Sequence, residues 1–228
     1  MINQAAVVVA GGQGSRMQSA IPKQFLLLAG KPLLMHTLEA FYRYNSRLPI
    51  WLVLPEEEHA RWNNLRKKYN CAVPHQIVAG GDCRPQSVKN GISQIQFKDG
   101  LVAIHDGVRP FVTSQIIGES FTIAKREGAA IASVALKDSL RKMNGKRSVA
   151  QNRSDFRLMQ TPQTFRLSWL RNAYKKLNTI TNFSDEASMV EAAGRQVTLF
   201  GGSYRNIKVT TPEDMLIAEA FMSQKASC

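Results

Sequence analysis

A glycine-rich turn followed by two cations is the segment of this chain best suited to chemistry. The apolar run 6–10 leads into G-G-Q-G at 11–14, and Arg16 and Lys23 follow shortly after. Glycines let the backbone approach a bulky anion with its N–H groups turned inward, and the two cations supply charge for phosphate. The turn lacks the Walker pattern, and Met17 stands where the third Rossmann glycine belongs. We therefore predict a triphosphate site of another kind, with an ordinary strand–helix turn as the weaker alternative.

A second glycine turn occurs at 80–87, with the sequence G-G-D-C-R-P-Q-S, after a predicted strand. Its glycines permit close backbone approach, and Asp82 or Ser87 could hydrogen-bond a base or a ribose. A tight turn in which Asp82 caps the following helix explains the same residues equally well. Spacing alone leaves both interpretations open.

Two further segments bring charge to predicted strand ends. The segment 105–110 reads H-D-G-V-R-P, and an aspartate such as Asp106 is a natural partner for a magnesium–triphosphate complex. Arg109 could hold a second phosphate, whereas His105 is more typical of a structural histidine. Lys208 lies between apolar neighbours in a predicted strand, with a solvated edge lysine as the alternative.

Short apolar runs alternate with amphipathic stretches along most of the chain. The runs predict strands at 5–10, 50–54, 76–79, 101–104 and 130–135, and the stretches predict helices at 33–44, 56–69, 84–96, 114–127, 168–177 and 184–193. Strands without polar alternation are covered on both faces, and strand–helix alternation predicts a parallel sheet with helices on both sides. Ligands then gather at the carboxyl ends of the strands, where the turns described above lie.

One polar segment, 137–164, breaks this alternation. A loop of that length without its own structure is uncommon in a compact domain, so we predict an extended hairpin or arm there. The chain then closes with a predicted strand pair at 196–200 and 207–209. A last helix should begin at Pro212, with Thr211 as its cap.

Length and composition predict one globular domain with an unusually basic surface. The chain has 228 residues, 44% of them hydrophobic and 21% charged, with a net charge of +13. Nucleic-acid binders concentrate such charge in a patch or tail. Here Lys and Arg are scattered, and their densest cluster, at 61–68, falls in a predicted helix. We therefore favour a phosphate-handling enzyme over a nucleic-acid-binding protein.

Cysteine usage and hydropathy predict a cytoplasmic protein. Cys71, Cys83 and Cys228 are odd in number and form no CxxC pair, which argues against a disulfide framework or a zinc cluster. The first residues lead almost directly into a predicted strand, so we expect no signal peptide. No apolar run reaches the roughly 20 residues of a membrane span.

Taken in order, these motifs resemble the 2-C-methyl-D-erythritol 4-phosphate cytidylyltransferase family of the non-mevalonate isoprenoid pathway. The resemblance covers nearly the whole chain and rests on residues 10–17, 22–24, 80–82, 87–88, 105–110, 138–139, 160–163, 184–188 and 206–210. It implies a single-domain, Rossmann-like nucleotidyltransferase fold and a homodimer whose arm, 137–164, crosses to the partner subunit. The implied reaction joins CTP to a polyol phosphate with release of pyrophosphate, and magnesium is the implied cofactor.

The resemblance also implies roles for individual residues. Arg16 and Lys23 match cations that stabilise the transition state at the CTP α-phosphate. Arg153, reaching the neighbouring subunit's site, and Lys208 match residues that position the substrate phosphate. The implied nucleotide-binding residues are Ala10, Gly11, Gly12, Gly14, Gly81, Asp82, Ser87 and Asp106. The implied substrate-binding residues are Asp106, Arg109, Ser139, Arg153, Thr161, Ser184 and Lys208. Magnesium would be held mainly by the CTP phosphates, with Asp106 nearby.

The identity of the acceptor alcohol stays open at this point. Val108 and the segment 160–166 also match ribitol-5-phosphate cytidylyltransferase, whereas 185–188 and 206–214 look more like the methylerythritol enzymes, which we favour. Ser139 and Ser184 stand where threonine is common, and each keeps the hydroxyl. Two more distant alternatives are a nucleotide-sugar pyrophosphorylase and a basic nucleic-acid-binding protein.

Overall fold

The chain folds around one seven-stranded sheet in a computed structural model that describes residues 2–12, 17, 19, 21–177 and 183–226. The strands are β1 Gln4–Val9, β2 Leu27–Leu28, β3 Lys31–Pro32, β4 Ile50–Leu54, β5 Gln76–Ala79, β6 Leu101–Asp106, β7 Ala129–Ala135, β8 Leu140–Asn144, β9 Arg147–Gln151, β10 Arg157–Arg166 and β11 Thr198–Gly201. The large sheet has the order β11-β7-β10-β6-β1-β4-β5, and β10 alone runs antiparallel to its neighbours. The predicted, mostly parallel sheet is thereby confirmed.

Seven helices connect and cover these strands in the part of the chain that the structure describes. They are α1 Leu33–Tyr44, α2 His59–Lys68, α3 Arg84–Ser93, α4 Ser114–Glu127, α5 Leu167–Lys176, α6 Glu186–Ala192 and α7 Pro212–Ala226. Local chemistry explains the bounds of α4. The Thr113 side chain accepts a hydrogen bond from the Ile116 N–H, and Gly128, at φ 92°, ends the helix in the left-handed conformation.

Two apolar cores lie on opposite faces of the sheet. Ala6 and Val8 of β1 face a core built with α1, α2 and α4, where Phe41 and Trp62 are fully buried. Val7, the residue between them, faces a second core built with α3, α5 and α6. Successive side chains of a strand point to opposite faces, so a fully apolar strand needs helices on both sides. The burial pattern confirms the prediction made from the uninterrupted apolar runs.

The predicted arm at 137–164 was too long at its carboxyl end. Strands β8 and β9 do form a separate hairpin, but β10 lies within the central sheet between β6 and β7. Its residues Gln160, Thr161, Gln163 and Thr164 are buried, although their polarity is typical of a loop. They tolerate burial because their side chains are hydrogen-bonded. The segment outside the central sheet is therefore 137–156, called the arm below.

The predicted pairing of two terminal strands, 196–200 with 207–209, was also wrong. Strand β11 pairs in parallel with β7, and 207–209 is not a strand, although the Val209 N–H donates to the Val108 carbonyl. Helix α7 begins at Pro212 as predicted, and the Thr211 hydroxyl accepts from the Asp214 N–H. Among the described residues, no helix is both long and apolar enough to cross a membrane.

Candidate active site

A cleft of about 820 Å³ lies at the carboxyl ends of β1, β4, β5 and β6. It is lined by Val9, Ala10, Gly11, Gly12, Lys23, Gln24, Pro55, Glu56, Glu57, Gly80, Gly81, Asp82, Cys83, Arg84, Ser87, Asp106, Val108 and Lys208. These residues come from turns far apart in the sequence, and they meet because the four strands are parallel. The cleft is of the size that small-molecule sites have.

The first glycine turn forms one wall of the cleft beside Lys23. A Cβ atom placed on Gly12 would lie 3.7 Å from Lys23 Nζ, so the ammonium group lies next to this stretch of backbone. The predicted site residues Gly14 and Arg16 lie outside the described residues. Gly107 allows the neighbouring turn to pack closely, since a Cβ there would come within 2.8 Å of the Ala10 Cβ.

The second glycine turn is held by a buried hydroxyl. The Gly81 N–H donates to Ser87 Oγ at 3.0 Å, and Ser87 is buried. Asp82 is exposed at the cleft. The N-cap of α3 is Cys83, whose side chain makes no capping hydrogen bond, so the alternative in which Asp82 caps this helix is wrong.

Three cations surround Asp106 at the end of β6, and these four residues are called the charge cluster below. Lys208 Nζ lies 3.0 Å and Arg109 Nε lies 3.2 Å from Asp106 Oδ2, while Arg84 Nη2 lies 3.5 Å from Oδ1. Burial by itself raises the pKa of Asp106, but Arg84, Lys208 and Arg109 outweigh it and hold the pKa well below its usual range. Asp106 is therefore ionised throughout the working pH range, and the cluster carries excess positive charge.

Hydrogen bonds from β10 and from Asn206 hold the charge cluster in place. Thr161 Oγ1 accepts a hydrogen bond from the Asp106 N–H at 3.1 Å. The Asn206 side chain donates to the Thr161 carbonyl at 2.8 Å, and the Asn206 carbonyl accepts from Arg109 Nη1 at 2.8 Å. Thr161, predicted as a substrate contact, is thus buried and positions Asp106. Asn206 positions the segment that carries Lys208.

His105 is enclosed by the core. It is fully buried and lies edge-on to the Phe41 ring, with centroids 5.1 Å apart. Burial lowers the pKa of His105 to about 3, so the imidazole is neutral at physiological pH. This environment favours the structural interpretation of His105 over a role in acid–base chemistry.

Three predicted substrate-binding residues lie on the surface, away from the cleft of this chain. Ser139, Arg153 and Ser184 are exposed, and none of them lines the cleft. Arg153 Nη1 donates to the carbonyl of Lys137 at the base of the arm. Within one chain, the structure therefore does not bring these side chains together with Lys23 and the charge cluster.

Several residues that shape the site were not singled out from the sequence. Glu186 is fully buried, and both of its oxygens accept from Arg84 Nη1 at 2.7 and 2.8 Å. Gln163 holds the start of α6, because its side chain donates to Asp185 and accepts from the Ala187 N–H. Glu186 lies among Ser184, Asp185 and Ser188, so its local sequence gave no signal that it would be buried. Nothing in the spacing indicated that its partner would be Arg84.

The side chains that line the cleft suit a metal ion whose ligands come mainly from a bound substrate. Among the described residues, no group of three or more His, Cys, Asp or Glu side chains is arranged to hold a metal ion. Asp106 is the buried carboxylate of the cleft lining, whereas Glu56, Glu57 and Asp82 are exposed. Magnesium commonly takes one or two carboxylates and completes its shell with phosphate oxygens and water.

Comparisons with known proteins agree with this geometry. The family model IspD, 2-C-methyl-D-erythritol 4-phosphate cytidylyltransferase, matches residues 4–224. Proteins of that name from Azobacteroides pseudotrichonymphae and Bacteroides thetaiotaomicron are 45% and 44% identical, over 97% of this chain and 100% of theirs. The solved structure of 4-diphosphocytidyl-2C-methyl-D-erythritol synthase from Anaerococcus prevotii superposes with a TM-score of 0.84 at 25% identity, covering 97% of this chain and 99% of the other. The solved structure of the 2-C-methyl-D-erythritol 4-phosphate cytidylyltransferase from Thermus thermophilus superposes with a TM-score of 0.75 at 30% identity. It covers 96% of this chain and 99% of the other.

Proposed function

Because this chain belongs to the 2-C-methyl-D-erythritol 4-phosphate cytidylyltransferase family, we propose that the cleft described above is the place where that reaction occurs. The protein is a nucleotidyltransferase that transfers CMP from CTP to 2-C-methyl-D-erythritol 4-phosphate. The products are 4-diphosphocytidyl-2-C-methyl-D-erythritol and pyrophosphate. The observation that carries the assignment to this cleft is the charge cluster, which lies beside two glycine turns.

The alternative acceptor, ribitol 5-phosphate, is not favoured. The similar proteins carry the methylerythritol name at 40–45% identity over nearly their full length. A nucleotide-sugar pyrophosphorylase and a nucleic-acid-binding protein lack comparable support.

The chemical difficulty of this reaction is charge repulsion. The nucleophile is a phosphate oxyanion, so it needs no general base to activate it. It must, however, approach a triphosphate that carries several negative charges. Catalysis should therefore come from positioning and electrostatic stabilisation, as in other phosphoryl transfers.

We assign the nucleotide to the half of the cleft formed by the two glycine turns. Backbone N–H groups of residues 11–15 would hold the β- and γ-phosphates, and the turn at 80–82 would contact cytosine and ribose. Lys23, together with Arg16, would stabilise charge that develops at the α-phosphorus. The position of Lys23 Nζ beside Gly12 supports this assignment.

We assign the acceptor phosphate to the charge cluster. Lys208 has a side chain 38% exposed, whereas that of Arg109 is 10% exposed. Lys208 can therefore turn toward a ligand while Arg109 stays in place. The reacting phosphate would lie between Lys208 and the α-phosphate held near Lys23.

We propose magnesium as the divalent cation of this site. The CTP phosphates would supply most of its ligands, with Asp106 as the nearby protein carboxylate. When bound, the ion would offset charge on the phosphates and on departing pyrophosphate. The residues of the chain would keep the two substrates in line.

We further propose that the protein is a homodimer whose arm completes the partner's site. The arm and the start of β10 expose large apolar side chains, namely Met143, Val149, Phe156 and Leu158, at 63%, 63%, 40% and 52%. A lone two-stranded hairpin is marginal in water, so this surface is suited to burial against a second chain. An arm docked on a second chain would hold Arg153 and Ser139 away from the cleft of their own chain. The cytoplasmic location stays a prediction.

A substrate comparison tests the acceptor assignment. The protein is incubated with CTP, magnesium and either 2-C-methyl-D-erythritol 4-phosphate or ribitol 5-phosphate, and pyrophosphate release is followed. We expect rapid release with the methylerythritol phosphate and little with the ribitol phosphate. Preference for ribitol phosphate, or for UTP or GTP over CTP, would contradict the assignment.

A further inference from the structure

A buried ion pair lies directly behind the charge cluster. Glu186 has no exposed side-chain surface, and its carboxylate accepts two hydrogen bonds from Arg84 Nη1. The other terminal nitrogen, Arg84 Nη2, lies 3.5 Å from Asp106 Oδ1. Arg84 also lines the cleft. One guanidinium thus joins a buried carboxylate to the carboxylate at the centre of the site.

Glu186 lies at a helix start that is hydrogen-bonded to the central sheet. It is the first residue of α6, and the Asp185 side chain caps that helix. Gln163 of β10, a strand in the middle of the sheet, donates to Asp185 and accepts from the Ala187 N–H. Arg84 is therefore anchored through Glu186 to the central sheet.

Lys208 lacks such an anchor within the charge cluster. Among the described residues it forms an ion pair with Asp106 Oδ2, at 3.0 Å, and its side chain is the most exposed of the four. A phosphate entering the cleft would compete with Asp106 for this ammonium group. Arg109 cannot follow in the same way, because its Nη1 donates to the Asn206 carbonyl and its side chain is largely buried.

We propose that Arg84 and Glu186 are positioning residues, which hold the Asp106 carboxylate in place while Lys208 turns from Asp106 to the acceptor phosphate. This inference rests on the proposed function of the cleft. Without Arg84, the departure of Lys208 would leave the Asp106 carboxylate with Arg109 as its remaining close cation. The orientation of Asp106 would then be less well defined, and the charge cluster would no longer be fixed for the incoming phosphate.

The charges around Asp106 support this role. Arg84 approaches from α3, Arg109 from the turn after β6 and Lys208 from 202–211, while His105 on β6 is neutral and Glu186 on α6 is paired.

A double variant tests the proposal, because changing one partner alone would leave an uncompensated buried charge. Arg84→Met with Glu186→Gln removes both charges at similar volume. We expect kcat to fall roughly 10–100-fold, because Asp106 is no longer held. The KM for CTP should stay within about twofold, because the nucleotide half is intact.

Two further variants separate positioning from general stability. Arg84→Lys keeps a cation beside Asp106 and should retain most of the kcat that the double variant loses. Arg171→Met removes an arginine that donates to the carbonyls of Ile92, Ile95 and Phe97, away from the cleft. It should lower the melting temperature without lowering kcat.

The outcome has two distinguishable failures. If the wild-type protein transfers no CMP, the proposed function fails. If it does transfer CMP and the folded double variant keeps the wild-type kcat, the positioning role of Arg84 and Glu186 is wrong. An equal loss of kcat in Arg171→Met would also overturn it.

Discussion

The two halves of the cleft are built in different ways. The half that we propose for the nucleotide is lined by two short glycine turns, at 11–12 and 80–81, each directly after a parallel strand. The half that we propose for the acceptor contains the charge cluster, whose four residues come from three separate parts of the chain. Backbone recognition can be encoded in a few consecutive residues, whereas a charge cluster requires the completed fold.

The halves also differ in how they are supported. The turn at 80–81 is held by the Ser87 hydroxyl and by a hydrogen bond from the Gly80 N–H to the Leu54 carbonyl. The charge cluster is held by a network of buried side chains that includes Thr161, Glu186 and Asn206. Buried charges are stable only when they are paired and hydrogen-bonded. We therefore expect substitutions in the nucleotide half to affect mainly rate, and those behind the charge cluster to affect stability as well.

The largest expected effect is in the nucleotide half. Lys23→Ala should lower kcat about 10²–10³-fold, by analogy with the loss of one transition-state donor. The fold should be retained, because Lys23 lies at the cleft and not in a core. Pyrophosphate release and thermal unfolding would be measured, with exposed Lys89→Ala as control. Near-normal turnover in Lys23→Ala would contradict the catalytic assignment.

A mixing experiment tests whether the acceptor half is completed by a second chain. Lys23→Ala and Arg153→Ala should each be impaired. In a heterodimer of the two, one site receives both changes and the other receives neither, so about half of its sites should recover. Activity would be measured in purified, differently tagged heterodimers. Heterodimers without recovered activity would show that Arg153 does not act in the neighbouring site.

Loss of support behind the charge cluster should mainly affect stability. Thr161→Val leaves the buried Asp106 N–H without its acceptor, so the free energy of unfolding should fall by about 1–3 kcal/mol. Thr122→Val, at an exposed helix position, is the matched control. Chemical denaturation of both variants provides the measurement. Equal stabilities would show that the Thr161 hydroxyl does not support Asp106.

The last prediction concerns His105 and is confined to acidic pH. Because the folded protein keeps His105 neutral, with a pKa of about 3, the unfolded chain binds a proton that the folded chain does not. Stability should therefore fall as pH decreases from about 6.5 toward 3, by about 1.4 kcal/mol per pH unit from this group. His105→Asn should remove that slope. The free energy of unfolding of the wild type and of His105→Asn would be measured between pH 8 and pH 4. The difference at pH 8 gives the effect of the altered packing. If the two proteins lost stability in parallel as the pH fell, His105 would not be the source of the pH dependence.

Much of the architecture could be predicted because its signals are local. The bounds of α1 and α4 and the strands Ile50–Leu54 and Gln76–Ala79 match the predictions residue for residue. Strand β10 could not be predicted, because Gln160, Thr161 and Gln163 are polar. Their burial depends on partners such as Ser203 and Asp185 that lie far along the chain.

The sequence by itself determined the class of sheet, the turns at its carboxyl edge and the family, because each depends on residue types at short, fixed spacing. Only the tertiary structure decided which side chains meet there. It placed Arg84 between Glu186 and Asp106, assigned the Thr161 hydroxyl to the Asp106 N–H, and brought Lys208 to the charge cluster. The physical reason is that ion pairs and buried hydrogen bonds depend on distances of a few ångströms, which are set only when all strands and helices are packed.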